Sequence, residues 1–342
     1  MKANIKKIMT GGSLFRSRQL NLLLKFLLVA LVAWALYKQV FSRDDLPQIL
    51  ENFQRELDLA RWPIMVLVIL MMPLNWILET IKWRILVNRI EQLSFWKAFR
   101  GILAGVSLSL FTPNRIGEYG GRILVVKPEN NIKTVVVTLV GSFAQITVLL
   151  SMGGIGLSYF LYQHYASETL LLYATMICTG LGLGLLLLTY LNIDLLIPVF
   201  ERIPFIKRGV RYMKVLKRYD TRDLLRVLCL SFLRYWCYSS QYFLLIVLLG
   251  VESSYLSGMS AIAVIYLLQT SIPLPPITGL LVRGRLAIEV WSYLGANELG
   301  VLSATFGLWA INILFPALWG LFFILRINLS NTLFKDASLK AE

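Results

Sequence analysis

What most constrains this chain is the length of its apolar stretches, two of which stop short. A helix needs about 20 apolar residues to cross the hydrocarbon core of a bilayer. Six segments reach that length: Leu20 to Phe41, Trp62 to Thr80, Thr134 to Leu161, Thr169 to Leu191, Asp223 to Leu249 and Val301 to Leu325. Two others, residues 98–126 and 257–294, are too short to cross before a proline breaks them, and they continue with glycine and arginine. Composition fits the same solvent: 57% of the 342 residues are hydrophobic and 15% are charged, where a soluble domain carries roughly 25% charged residues. The expected fold is an all-α polytopic membrane protein, a single transmembrane domain over residues 1–342. Leu20 to Phe41 is too long for the apolar core of a signal peptide and reads as a retained helix.

The positions of lysine and arginine orient these spans. The N-terminus carries Lys2, Lys6, Lys7, Arg16 and Arg18 without an acid, which places it in the cytoplasm. The loop after the first span is acid-rich, with Asp44, Asp45, Glu51, Glu56 and Asp58, and is expected outside. The next, with Lys82, Arg84, Arg89 and Lys97, is expected inside. If residues 98–126 crossed once, the basic stretch from Arg202 to Arg222 would fall outside, against the rule. If they dip in and return, that stretch falls inside, and the segments 162–168 and 250–256, which lack lysine and arginine, fall outside. The same reasoning makes 257–294 a hairpin entered from outside and leaves the C-terminal tail, like the N-terminus, cytoplasmic.

The two interrupted stretches resemble each other. Pro113 and Gly117 stand 162 residues before Pro275 and Gly279, and a Gly-Arg pair follows in each, Gly121-Arg122 and Gly284-Arg285. A helix, a re-entrant hairpin and a helix, repeated in opposite orientation, is the inverted-repeat plan of many secondary transporters, whose broken helices meet near the bilayer midplane. Repeat 1 is expected over 62–161 and repeat 2 over 223–325, giving about six spans and two oppositely oriented re-entrant hairpins. Backbone that leaves helical geometry in a bilayer loses internal hydrogen bonds and is tolerated where it is buried in protein or lines a polar cavity. Pro113 and Pro275 end the entering limbs, while Gly117, Gly121 and Gly279 permit a tight return. Charged side chains at such depth are costly and mark substrate pathways. The candidate binding residues for an anionic head group are therefore Arg115, Glu118 and Arg122 in the first hairpin, Arg283, Arg285 and Glu289 in the second, and Arg234 in mid-span. Glu118 with Arg122, and Arg285 with Glu289, are spaced to pair at i,i+4.

Several function classes drop out. Three cysteines in apolar stretches and a single histidine, His164, supply neither a disulfide framework nor a Cys/His metal site, so no metal or cofactor is expected. The net charge of +15 lies in short segments between spans, as topology requires, rather than along one soluble face, so nucleic acid is not an expected partner. Residues 205–219, FIKRGVRYMKVLKRY, place Ile206, Val210 and Met213 on one face among basic residues, the pattern of an interfacial helix on anionic inner-leaflet lipids.

The run SLSLFTPNRIGEYGGRI, and in the second half SIPLPPITGLLVRGRLAIEVWSYLG, resemble the two signature regions of the lysylphosphatidylglycerol synthase transmembrane family, also called flippase-like integral membrane proteins. The first region carries a Pro-x-Arg-x-Gly-Glu core at Pro113, Arg115, Gly117 and Glu118. In the best-known relatives this membrane part is fused to a soluble aminoacyl-transferase domain that makes the aminoacyl lipid, and the membrane part moves it between leaflets. This chain ends at Glu342 with no room for such a domain, so the resemblance implies lipid movement without lipid synthesis, in a plasma membrane of bacterial type. The expected function is a lipid flippase or transporter, not an enzyme, that moves an anionic or polyprenyl-linked lipid by alternating access. The alternative is an intramembrane enzyme acting on a lipid head group, with Glu118 or Glu289 as general base. No nucleophile, metal cluster or nearby histidine accompanies either carboxylate in the sequence.

Overall fold

A computed structural model describes residues 44–56, 61–110, 112, 115–202, 207–272 and 276–326, preceded by 19, 21–31, 33–34 and 37–38. Pro113, Pro275, Ile206 and the two tails fall outside the described residues, which among them form helices and no strand. Helix α1 (Asn21–Leu31) covers part of the first expected span, the rest of which lies largely outside the description. Helix α2 (Leu46–Glu56) occupies the acid-rich segment and buries Ile49 and Asn52.

Helix α3 (Trp62–Val87) carries Pro63 in its first turn, where the fixed φ suits the helix and the missing N–H would have no partner. Its 26 residues reach about 39 Å at 1.5 Å per residue, longer than the ~30 Å hydrocarbon core. Among the described residues four stretches are long and apolar enough to span: α3; Pro128–His164, which contains α6 (Asn131–His164); α7 (Thr169–Leu191); and Glu298–Arg326. The last comprises α13 (Glu298–Trp309), a π turn at Ala310–Leu314 and α14 (Phe315–Arg326). Helix α10 (Thr221–Leu248) has 28 residues but carries Arg222, Asp223, Arg226 and Arg234.

Helix α4 (Phe95–Ser109) is started by Ser94, whose Oγ accepts from Lys97 N at 3.4 Å. Its 15 residues reach about 22 Å, too short to cross. Helix α5 (Gly117–Ile123) runs back along it, and the two meet backbone to backbone. A Cβ on Gly121 would fall within the backbone of Gly105, and one on Gly117 within the Leu108 carbonyl, so the helices are antiparallel and fit because these positions carry no side chain. Just before α5, Arg115 adopts φ 58°, the left-handed region, which costs a non-glycine residue roughly 1–3 kcal/mol. In the second half α11 (Tyr255–Thr270), begun by Ser254 in the same manner, is followed by α12 (Pro276–Ser292). This helix returns along α11 so that Gly258, near the start of one, faces Trp291, near the end of the other.

Shifted by 162 residues, α3 falls over 224–249, α4 over 257–271 and α6 over 293–326; the second half has Thr221–Leu248, Tyr255–Thr270 and Glu298–Arg326 there. Helices α3 and α10 cross antiparallel at the centre. Arg61 donates to Leu248 O at 3.1 Å near one end, Gln241 Nε2 to Val68 O at 2.7 Å further along, and Arg89 pairs with Asp223 at the other end. Each short limb lies on the last long helix of the opposite half. Helix α4 packs on α14, where Ser107 Oγ donates to Ala317 O at 2.5 Å, and α11 packs on α6, where Gly156 faces Ala263.

The described residues of the basic segment are helical in two pieces. Helix α8 (Leu196–Glu201) precedes it; within it, α9 (Lys207–Met213) gives way to a 3₁₀ turn at Lys214–Arg218. Val210, Val215 and Leu216 are buried in a cluster with Leu86, Val140 and Tyr190, so protein covers the apolar side of this segment.

Candidate functional site: a cationic cavity where the two hairpins meet

Helix α3 continues to Val87, seven residues past the expected end of its span at Thr80. That extension places Lys82, expected in a cytoplasmic loop, inside the protein at 2% exposure, one turn from Glu79 at 3%. Lys82 Nζ lies 2.6 Å from Glu79 Oε2, Arg122 Nη2 2.6 Å from Oε1, and Arg234 Nη1 3.0 Å from Oε2. One carboxylate thus gathers a cation from α3, one from α5 and one from α10. Arg122 stands 5.6 Å from the Trp83 ring centre and Arg234 5.4 Å from that of Trp76, which gives each guanidinium an aromatic face as a second anchor. Glu118 meets Arg115 at 2.6 Å and Arg122 at 3.5 Å. The i,i+4 pair read from the sequence is therefore present, but it is the longer contact of both partners.

In front of this cluster lies a cavity of about 280 Å³. Arg115 from the first hairpin, Arg234 from α10 and Arg283 from α12 line it, and no carboxylate does so among the described residues. Glu118 tethers Arg115 and Glu79 tethers Arg234, whereas Arg283 has no carboxylate partner within 4 Å among the described residues. Counting the cluster and the cavity together, Lys82, Arg115, Arg122, Arg234 and Arg283 face Glu79 and Glu118: five cations against two anions, an excess of three positive charges. In surroundings of low dielectric such an excess attracts an anion strongly, and guanidinium groups hold phosphate oxygens by paired, charge-assisted hydrogen bonds.

The remaining wall is uncharged and mixes polar side chains with Trp76 and the apolar Leu149 and Ile313. Asn75 Oδ1 accepts from Arg234 Nε at 3.1 Å, and Asn75 Nδ2 donates to Asn312 Oδ1 at 3.4 Å. Gln145 Oε1 accepts from Arg234 Nη1 and from Lys82 Nζ, each at 3.4 Å. Asn312 belongs to the π turn and donates Nδ2 to Gln241 Oε1 at 2.7 Å; single π turns inside helices are frequent at functional positions. Tyr235 and Tyr238 from α10 and Tyr266, Gln269 and Thr270 from α11 also face the cavity.

Of the seven binding residues expected from the sequence, Arg115, Arg234 and Arg283 line the cavity, and Glu118 and Arg122 stand directly behind it. Arg285 and Glu289 are not brought there: their side chains are 77% and 67% exposed and face each other at 3.7 Å on the outer side of α12. Two steps along a helix turn a side chain by about 200°, so Arg283 and Arg285 cannot reach the same wall. Sequence reasoning missed Glu79, Lys82, Asn75 and Asn312, and left Gln145 out of the candidate site. The available signal was Glu79 itself, a carboxylate inside an apolar span with an asparagine one turn before and a lysine one turn after.

The family described as lysylphosphatidylglycerol synthase TM region matches residues 14–320, and the chain belongs to that family, a membrane region tied to lipid. No curated protein shows a significant match to the chain.

Proposed function

We propose that this member of the family carries a phosphate-bearing lipid from one leaflet to the other by alternating access, with the head group in the cationic cavity and the hydrocarbon chains in the surrounding bilayer. The observation that supports this reading most is the convergence of Arg115, Arg234 and Arg283, from two hairpins and a long helix, on one cavity without a described carboxylate in its wall. On this reading α1, α3, α6, α7, α10 and the α13–α14 unit are six spans. Residues 98–126 and 257–294 are hairpins that enter the membrane from opposite sides, in repeats 62–161 and 223–325. Both termini face the cytoplasm of a bacterial-type plasma membrane. The recurrence of element lengths at 162 residues, the antiparallel crossing of α3 and α10 and the exchange of short limbs between halves all support that plan. Rocking of one half against the other about the α3–α10 crossing would open the cavity to each side in turn. Membership of a family named for a lipid synthase's membrane region supports a lipid as cargo.

The test is leaflet transfer of labelled phosphatidylglycerol in proteoliposomes, with mass analysis of the recovered lipid. Transfer of chemically unchanged lipid is expected. A new lipid product made by the unmodified protein would replace transport by an intramembrane enzyme activity. For the topology, a cysteine at Lys127 labelled from outside, with one at Ser254 protected, would overturn the re-entrant arrangement.

A further inference from the structure

Three arginines explain how the cavity holds a phosphate; the rest of the wall tells what the phosphate carries. Beyond Arg115, Arg234 and Arg283, the polar side chains facing the cavity are amides, hydroxyls and the Trp76 indole. Several have open hydrogen-bonding capacity. Tyr266, 8% exposed, has a buried hydroxyl oxygen with no partner among the described residues. The side chains of Gln269 and Tyr238 have no hydrogen-bond partner among the described residues either, and Gln145 uses its carbonyl oxygen on Lys82 and Arg234, leaving its amide donors unengaged there. For the buried Tyr266 hydroxyl the lack of a partner is costly unless a ligand or water completes it. These groups both donate and accept, which suits hydroxyl groups, themselves donors and acceptors. They offer no fixed negative charge to an ammonium, and an ammonium drawn into this wall would sit among three guanidiniums with no described carboxylate to pair with.

We infer that the head group taken by this cavity is a phosphodiester bearing an uncharged polyol, and that a head group bearing an ammonium is rejected. The inference rests on the transport reading above and narrows it: although the family carries the name of an aminoacylated lipid, the described cavity lacks the carboxylate that a lysyl ester would need. Glycerol on a diacyl lipid and a sugar on a polyprenyl phosphate share the required chemistry.

Four lipids separate the possibilities in proteoliposomes at equal mole fraction: phosphatidylglycerol, a hexosyl phosphopolyprenol, phosphatidic acid and lysylphosphatidylglycerol. At least one of the two polyol lipids should move tenfold or more faster than both phosphatidic acid, which lacks the polyol, and lysylphosphatidylglycerol; whichever leads identifies the source of the polyol. Lysylphosphatidylglycerol moving as fast as the polyol lipids would overturn the inference while leaving lipid transport standing, and so would phosphatidic acid matching them. Failure of all four to move above protein-free liposomes would overturn the transport reading itself and the inference with it. Gln269→Glu supplies the missing carboxylate and should raise the ratio of lysylphosphatidylglycerol to phosphatidylglycerol transfer about tenfold. An unchanged ratio in a variant of normal thermal stability would count against the charge argument, and the wild-type comparison stands whether or not that variant folds.

Discussion

In the first hairpin α5 lies on α4 backbone to backbone through Gly105, Gly117 and Gly121, whereas in the second α12 is held to α11 by side chains, with Gly258 covered by Phe243 and Trp291. Their charges differ in the same sense. Arg115 and Arg122 of the first hairpin are engaged by Glu118 and Glu79, while Arg283 of the second faces the cavity without a described carboxylate. Backbone contact admits no repacking, and side-chain contact does, through rotamer changes. The first hairpin is thus the fixed wall of the cavity, and the second the one whose arginine faces it without a described carboxylate.

The largest expected effect attacks the fixed wall. Gly121→Leu, whose Cβ would overlap the Gly105 backbone, should destabilise the protein by more than ~4 kcal/mol or abolish folded yield, beyond ordinary overpacking. Gly284→Leu in the second hairpin meets a movable Leu302 side chain at 3.1 Å and should cost far less, and Gly182→Leu, with nothing within 4 Å, should be tolerated. Equal thermal stability in detergent for all three would erase the contrast.

Next comes the carboxylate behind the wall. Glu79→Gln leaves Lys82, Arg122 and Arg234 without their shared anion, and stripping one partner from a buried ion cluster costs ~3–5 kcal/mol. Glu289→Gln removes an exposed pair and should shift stability by less than ~0.5 kcal/mol. Chemical unfolding of the two variants checks the difference.

Within the second hairpin, Arg283→Gln should weaken lipid binding by ~1.5–3 kcal/mol, the range of a charge-assisted hydrogen bond, with little change in folding. Arg285→Gln, two residues on and facing outward, should leave binding unchanged. Native mass spectrometry of lipid retention would show whether position on the helix or mere arginine content matters.

The smallest effect concerns the base of the first hairpin. Glu91, in the turn after α3, is desolvated by burial, which raises its pKa. The Lys127 N–H at 2.9 Å, Asn130 Nδ2 at 3.1 Å and the nearby Lys97 and Lys127 charges outweigh that and hold it below the ordinary carboxylate range. A depressed carboxylate contributes stability that is present above its unfolded pKa, about 4.3, and is lost as pH falls through the folded value. The wild type should therefore lose a few tenths of a kcal/mol more than Glu91→Gln as pH drops below about 4; parallel thermal stability profiles would remove Glu91 as a tie between the two turns.

The first hairpin was the more legible in the sequence. Gly117 and Gly121 stand out because a proline–glycine break in an apolar run has few physical uses, and Arg115 and Arg122 because charge at that depth is costly. In the second hairpin the same cues marked the place and the 162-residue offset, but they gave equal weight to Arg283 and Arg285. Which of the two faces the cavity depends on how α12 is rotated against α11, and contacts such as Gly258 with Trp291 fix that rotation.

The sequence by itself determined the solvent, the helical class and the two interruptions, because these follow from local hydropathy and breaker residues. Tertiary structure decided which charges meet. Glu79 and Lys82 read as a span residue and a loop residue, and they become the centre of a charged cluster because α3 extends to Val87 against α10 and α5 brings Arg122 to the same carboxylate. Asn75, Gln145, Tyr266 and Asn312 lie on four different elements and share a wall that only packing assembles. The physical reason is that hydropathy specifies how deep a helix sits, while its rotation and partners are set by side chains far apart in the chain.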